Sequence, residues 1–304
     1  MDKHWNNFCT MSIVHFMAFP NTMGGEGPIV ETVSKIAEDP FFGAIEIGWI
    51  KDAKVRAATK AVLEAAHIKI GFGAQSALLL QKLDLNSSDE AERMKAVGQL
   101  KASVDEASEV GAQRVAFLSG KDPGDANRPA ALDALIKSVK EICKYGRDKG
   151  IGLTCEIFDR SIDKKCLIGP TDYAAKFAKA IREDYPDFGL MYDLSHMPLL
   201  FEKVEALGLI KDLLVHIHIG NCVTDPAKPG YGDLHPPFGW PGGSNDVPEL
   251  INFLQALFNI GYLKDSKKER PWIGFEVKPQ NPSQTPEAVI AGAKRVWQEA
   301  WSRV

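Results

Sequence analysis

Five residues in the second half of the chain have types and spacing suited to holding a metal ion and moving protons. They are Glu156 in GLTCEIF, Asp193 and His196 in GLMYDLSH, His218 in LLVHIHIG and Glu276 in WIGFEVK. Each lies at or near the end of a short apolar run. Three carboxylates gathered in an apolar setting repel one another and resist ionising unless a cation neutralises them. A divalent cation does this. Three carboxylates with one imidazole suit Mn²⁺, Mg²⁺ or Co²⁺ better than a thiolate-rich zinc site. Any one of these carboxylates could instead cap a helix or pair with an arginine. Four ligands on consecutive apolar runs point to a shared metal.

The elements that must position them follow from the hydrophobic pattern. Eight short apolar runs read as strands: residues 11–19, 43–49, 68–74, 114–120, 152–158, 189–195, 213–220 and 272–278. Between and after them, apolar residues recur at helical spacing over 29–39, 55–66, 88–110, 131–148, 171–184, 199–208, 247–261 and 286–301. Ser88 reads as the N-cap of the third of these helices. Eight βα units without a composition break predict a (β/α)₈ TIM barrel spanning residues 1–304 as one domain. An open doubly wound sheet would want a glycine-rich phosphate loop, and GFGAQS (71–76) lacks the spacing. In a barrel the chemistry lies at the C-terminal strand ends, where these five residues fall. His216 shares the inward face with His218 but lies one layer deeper, because strand side chains alternate. It is expected to be a barrel-core histidine that supports the ligand through hydrogen bonding.

Composition bounds the partners. The 304 residues carry a net charge of −4 and no dense basic run, which argues against nucleic acid. DSKKER (265–270) is mixed in sign and reads as a solvated loop. Five cysteines, odd in number and without CxxC spacing, predict no disulfide framework and a cytoplasmic setting. The N-terminus does not read as a signal peptide, and no apolar run approaches the roughly 18 residues of a membrane span. The stretch from Asn221 to Asp246, rich in Gly and Pro, predicts a long functional loop. It contains His235, Phe238 and Trp240, the last two expected to be exposed as a lid or an interface. Glu46, on the second strand, is left open between a substrate contact and an ion pair inside the barrel.

Glu in strand five, DxxH in strand six, HxH in strand seven and Glu in strand eight together resemble the xylose isomerase-like TIM barrels. That superfamily holds sugar isomerases, ketose 3-epimerases, inosose dehydratases and the endonuclease IV group. The resemblance implies that Glu156, Asp193, His218 and Glu276 bind one divalent metal, commonly Mn²⁺. It implies that Glu156 and Glu276 act as the acid/base pair and that His196 contacts substrate. Arg160 matches a basic residue after strand five of the epimerases, and His15, Asp159, His235 and Trp240 are further candidates for substrate binding. The chain departs from the epimerase pattern at Ile162, where they carry a second Glu, and at Thr224, where they carry an Arg. FDRSIDKKCLIGP (158–170) and YGDLHPPFG (231–239) are similar to the metal-binding subunits of C-glycoside deglycosidases, which work with a small second subunit. DLH (233–235) resembles a metal pair of the endonuclease IV group. That group also needs histidines after strands three and four, where this chain has GAQS and FLSG.

The expected function is therefore a metal-dependent sugar isomerase or epimerase acting next to a metal-bound carbonyl. The alternatives are a lyase acting on a 3-oxo-glycoside or an inosose, and a sugar-binding barrel without catalysis. The expected ligand is an unphosphorylated sugar or glycoside, and a homo-oligomer is compatible with the resemblance.

Overall fold

The computed structural model describes residues 3–265 and 270–304. Of the DSKKER stretch, residues 266–269 therefore lie outside the described residues. Eight parallel strands form one sheet: β1 Thr10–Ile13, β2 Ala44–Ile47, β3 Lys69–Gly73, β4 Arg114–Phe117, β5 Gly152–Glu156, β6 Gly189–Asp193, β7 Leu214–Gly220 and β8 Trp272–Glu276. The order β1-β8-β7-β6-β5-β4-β3-β2 is that of a barrel laid open, and a parallel bridge between Val14 and Glu46 brings β1 to β2. The long helices α2 Ile29–Ala37, α3 Ala53–Ala65, α5 Glu90–Val110, α6 Arg128–Asp148, α7 Thr171–Arg182, α9 Val247–Asn259 and α10 Pro286–Ser302 connect or follow the strands. Each presents a buried face, as the spacing predicts. This is the (β/α)₈ barrel. Among the described residues, no helix is long and apolar enough to cross a membrane.

Four local expectations change. The first strand stops at Ile13, and a short helix, α1 His15–Ala18, follows at once. An apolar run cannot by itself separate strand from buried helix, and here residues 15–18 are all buried. A further short helix, α4 Gln75–Leu80, follows β3 and has no counterpart in the sequence pattern. The helix predicted over 199–208 is instead α8 His196–Leu199 and a 3-10 helix Val204–Leu209. Phe201, with φ +57, interrupts it in the left-handed region. Lastly, Asp89 rather than Ser88 caps α5, its carboxylate accepting from the backbone N–H of Ala91 and Glu92.

One irregularity sets the phase of the site. Leu190 pairs with Leu214 but Met191 pairs with His216, so Val215 is an extra residue on β7. Since side chains alternate, a one-residue slip decides which face a strand presents to its neighbour. The shift aligns Asp193 with His218; without it Ile217 would stand there. Gly189 makes the bulge possible, because a Cβ at that position would overlap the Val215 side chain.

His15, expected among the sugar contacts, is buried in the core. The Thr32 hydroxyl donates to the Pro28 carbonyl, so His15 Nε2–H donates to Thr32 Oγ1 at 2.8 Å. Burial pushes its pKa down to about 3 from 6.5. The unfolded imidazole takes up a proton below 6.5 and the folded one does not until about 3. The resulting stability is present above pH 6.5 and is lost as pH falls toward 3. Urea unfolding should show about 2 kcal/mol more loss between pH 6.5 and pH 5 in the native chain than in His15→Gln. Equal losses in the two would contradict the assignment.

Candidate metal centre and active site

Glu156 ends β5, Asp193 ends β6, Glu276 ends β8, and His218 lies two residues before the end of β7. One ligand atom from each comes together, all four atoms lying within 4.8 Å of one another. The side chains are buried. Glu156 Oε1, Asp193 Oδ2, His218 Nδ1 and Glu276 Oε2 are also buried without an aligned hydrogen-bond partner. Buried polar atoms are rarely left so, because each forfeits its hydration. Four orphaned donors of the right chemistry converging on one point fit a divalent cation.

Glu46 supplies the support. Its Oε1 accepts from Ser12 Oγ at 2.7 Å and His216 Nε2 at 3.0 Å, and its Oε2 accepts from His218 Nε2 at 2.8 Å. A carboxylate only accepts, so both imidazoles carry their hydrogen on Nε2. His218 Nδ1 then faces Glu276 Oε2 at 2.7 Å and Glu156 Oε1 at 3.7 Å. This is the carboxylate–histidine arrangement that fixes the tautomer of a metal ligand. Burial alone would lower the His218 pKa, but the surrounding carboxylates, Glu46 and Glu276 foremost, raise it well above its ordinary value. Burial would likewise raise Glu46, yet His216 and His218 hold it well below. Gly274 admits this carboxylate, since a Cβ there would lie 2.5 Å from Glu46 Oε1 and 3.0 Å from the His218 ring.

A Gln at position 46 would present N–H to one of the imidazoles, forcing a tautomer change. Glu46→Gln should therefore weaken metal binding about 10- to 100-fold. Competition against a chelator measures this, and an unchanged affinity would refute the supporting role.

A cavity of about 170 Å³ is lined by three of the four ligands, Glu156, His218 and Glu276. Asp233 and His235 also line it, with Lys164 and Lys278 as its cations. Gln75, at the start of α4, donates from Nε2 to Glu156 Oε2 at 2.7 Å. Its Oε1 and the neighbouring Ser76 Oγ are buried and unpartnered. Phe16, Met17, Met23, Leu79, Phe158 and Leu234 form an apolar wall.

His235 belongs to this cavity, with Nε2 2.8 Å from Asp233 Oδ1 and 3.5 Å from Glu276 Oε1. Burial opposes its protonation, but Glu276 and Asp233 push its pKa up to about 9. Its backbone holds φ +50, and Lys278 N–H donates to its carbonyl at 2.8 Å. His196 is not in the cavity. Its Nδ1 reaches the Ile157 carbonyl at 2.8 Å and its Nε2 reaches Asp233 Oδ1 at 3.2 Å, so both nitrogens are committed to the protein. His196, expected to contact substrate, is engaged with Asp233 instead of lining this cavity.

Asp159, Arg160 and Trp240 also lie outside the cavity. Asp159 gathers the backbone N–H groups of Ile162, Asp163 and Lys164 at 2.7–2.8 Å. This turn delivers Lys164 to Asp233, Nζ to Oδ2 at 3.0 Å. Arg160 donates to the Leu167 carbonyl and lies over the Tyr173 ring. Trp240 and Phe238 are half-buried rather than exposed, and Trp240 Nε1 donates to the Pro229 carbonyl. Gln75, Lys164 and Lys278 escape the sequence pattern; the available signal is that Gln75 and Lys278 lie close after a strand end, and Lys164 has none.

Residues 37–299 match the family described as xylose isomerase-like TIM barrel. The chain belongs to that family. No protein of curated function matches the sequence. Among solved structures, D-psicose 3-epimerase from Clostridium cellulolyticum H10 with D-tagatose is 17% identical, with 96% of this chain and 91% of that one covered at a TM-score of 0.65. The D-allulose 3-epimerase from Methylomonas sp. in complex with D-allulose is also 17% identical, covering 96% and 97% at 0.69. The IOLI protein with a bound zinc atom is 14% identical, covering 97% and 98% at 0.73. At these identities the likeness concerns the fold.

Proposed function

We propose that this barrel is a divalent-metal-dependent sugar isomerase or epimerase acting on a ketose or keto-sugar. The observation that carries the reading is the convergence of four buried, unpartnered ligand atoms, three of whose residues line a cavity. A cation held by Glu156, Asp193, His218 and Glu276 would polarise the carbonyl and acidify the neighbouring C–H. The acid and base are Glu156 and Glu276. Gln75 holds Glu156 in place, and His235 lies beside Glu276, able to share its proton. The free Gln75 Oε1 and the Ser76 hydroxyl are placed to bond sugar hydroxyls. Manganese suits the donor set, and reconstitution with Mn²⁺, Mg²⁺, Co²⁺ or Zn²⁺ ranks the candidates. Five buried, unbonded cysteines suit a reducing cytoplasm. The test is to incubate the metal-loaded protein in D₂O with D-psicose, D-tagatose, L-ribulose and 3-oxo-glucosides. Deuterium should enter next to the carbonyl of at least one, with its epimer or isomer appearing. No incorporation into any would sink the reading.

The apolar wall favours one second reading. A free ketose offers little to Phe16, Met17, Met23 and Leu79, whereas the aglycone of a glycoside would cover them. Loss of such a group from a 3-oxo-glycoside begins with the same proton removal, which would make the protein a lyase, with or without a small second subunit. Release of the aglycone, followed by absorbance, separates the two readings.

A further inference from the structure

The barrel is hollow at its other end as well. A cavity of about 460 Å³ opens at the N-terminal mouth, within the size range of small-molecule sites. Interior layers of such barrels are ordinarily filled by bulky branched side chains. Here Gly71 and Ala116 line the space. Gly152 leaves room for Arg114 to lie across it, since a Cβ there would be 2.9 Å from the guanidinium carbon. The deep end is formed by Glu46 and His216, so Glu46 separates this cavity from the one at the metal centre.

The lining has a definite chemical character. Arg114, Lys211, Lys264 and Arg270 surround the mouth, and none has a carboxylate ion-pair partner among the described residues. Arg114 donates to the backbone carbonyls of Leu153 and Asp187, and the Asp187 carboxylate acts on its charge without making a close ion pair. The one carboxylate in the lining, Glu46, is already engaged by Ser12, His216 and His218. Met191, Tyr262 and Trp272 give the walls an apolar and aromatic part, and Gln113 and Thr154 a polar one. The Trp272 ring stands nearly across the His216 ring, centroids 5.9 Å apart. His216 Nε2 is committed to Glu46, while Nδ1 has no hydrogen-bond partner among the described residues.

We propose that this mouth is a second binding site, for a small organic anion with a flat apolar body and a hydrogen-bond donor at its far end. The anionic head meets the cationic rim, the body lies against Trp272, and the donor reaches His216 Nδ1. The site is distinct from the metal centre and does not depend on the function proposed for it.

Calorimetric titration of the metal-loaded protein with 4-hydroxybenzoate, and separately with 4-hydroxyphenyl phosphate, tests this and tells a carboxylate head from a phosphate one. At least one should bind saturably below millimolar concentration. Lys211→Gln with Arg270→Gln should weaken it by about tenfold or more. Ala116→Leu, which fills the cavity, should abolish it, provided circular dichroism and Mn²⁺ binding show the fold intact; otherwise the rim variant decides. In crystals soaked with 3-bromo-4-hydroxybenzoate, the bromine anomalous peak should lie between Trp272 and His216. Absence of saturable binding by both probes, undiminished binding in the rim variant, or a bromine peak solely beside Glu156 and Lys278 would each overturn the proposal.

Discussion

Glu276→Gln is expected to cut turnover by roughly 10²- to 10⁴-fold while leaving the barrel folded. The amide keeps the volume of the side chain but cannot carry a proton to or from a carbon. It also removes one of the negative charges that compensate a cation among Glu156, Asp193 and His218. Loss of turnover should therefore come with weaker metal binding, and excess metal should restore occupancy without restoring activity. That split is the informative part. A protein that regained full turnover once saturated with metal would show Glu276 to be a ligand and not a proton carrier. A variant of undiminished activity would remove it from the site altogether.

The second large effect is on stability. Stripped of metal, the site keeps Glu156 Oε1, Asp193 Oδ2, His218 Nδ1 and Glu276 Oε2 buried without partners. Burial raises the Asp193 pKa, opposed by His196 and His235 and reinforced by Glu276. Such a carboxylate is poorly satisfied as an anion. Manganese at a thousandfold excess over Kd should add about 4 kcal/mol to the unfolding free energy, relative to protein treated with a chelator. Thermal and urea unfolding both measure it. Asp193→Asn should abolish most of the increment. An increment equal in the variant would mean that the ion binds elsewhere.

Part of this site is legible in the amino-acid sequence alone. Strand-end carboxylates and the HxH pattern depend only on the period of the strands, so Glu156, Asp193, His218 and Glu276 stand out as a group. Glu46 does not. Its partners His216 and His218 are far away in the chain, and closure of the barrel is what brings them to within hydrogen-bond distance of its carboxylate. Gln75 is hidden by the unanticipated helix α4, and Lys164 by the turn built around Asp159. His15, Arg160 and Trp240 have the residue types of sugar contacts, but each has a nitrogen engaged within the protein, by Thr32, Leu167 and Pro229 respectively.

By itself the sequence determined the alternation of eight strands with helices and the chemical types at the strand ends. Periodicity is local and survives without knowledge of neighbours. Tertiary structure alone decided the phase between strands. The extra residue Val215, accommodated by Gly189, turns β7 so that His218 stands beside Asp193. Strand alternation already separates the two like histidines by depth, but tertiary structure decided their partners. Both donate Nε2–H to the one Glu46 carboxylate, yet His218 Nδ1 meets the acidic cluster while His216 lines the cavity at the opposite mouth. Which side of an imidazole is occupied depends on groups distant in the chain, and no local pattern encodes that.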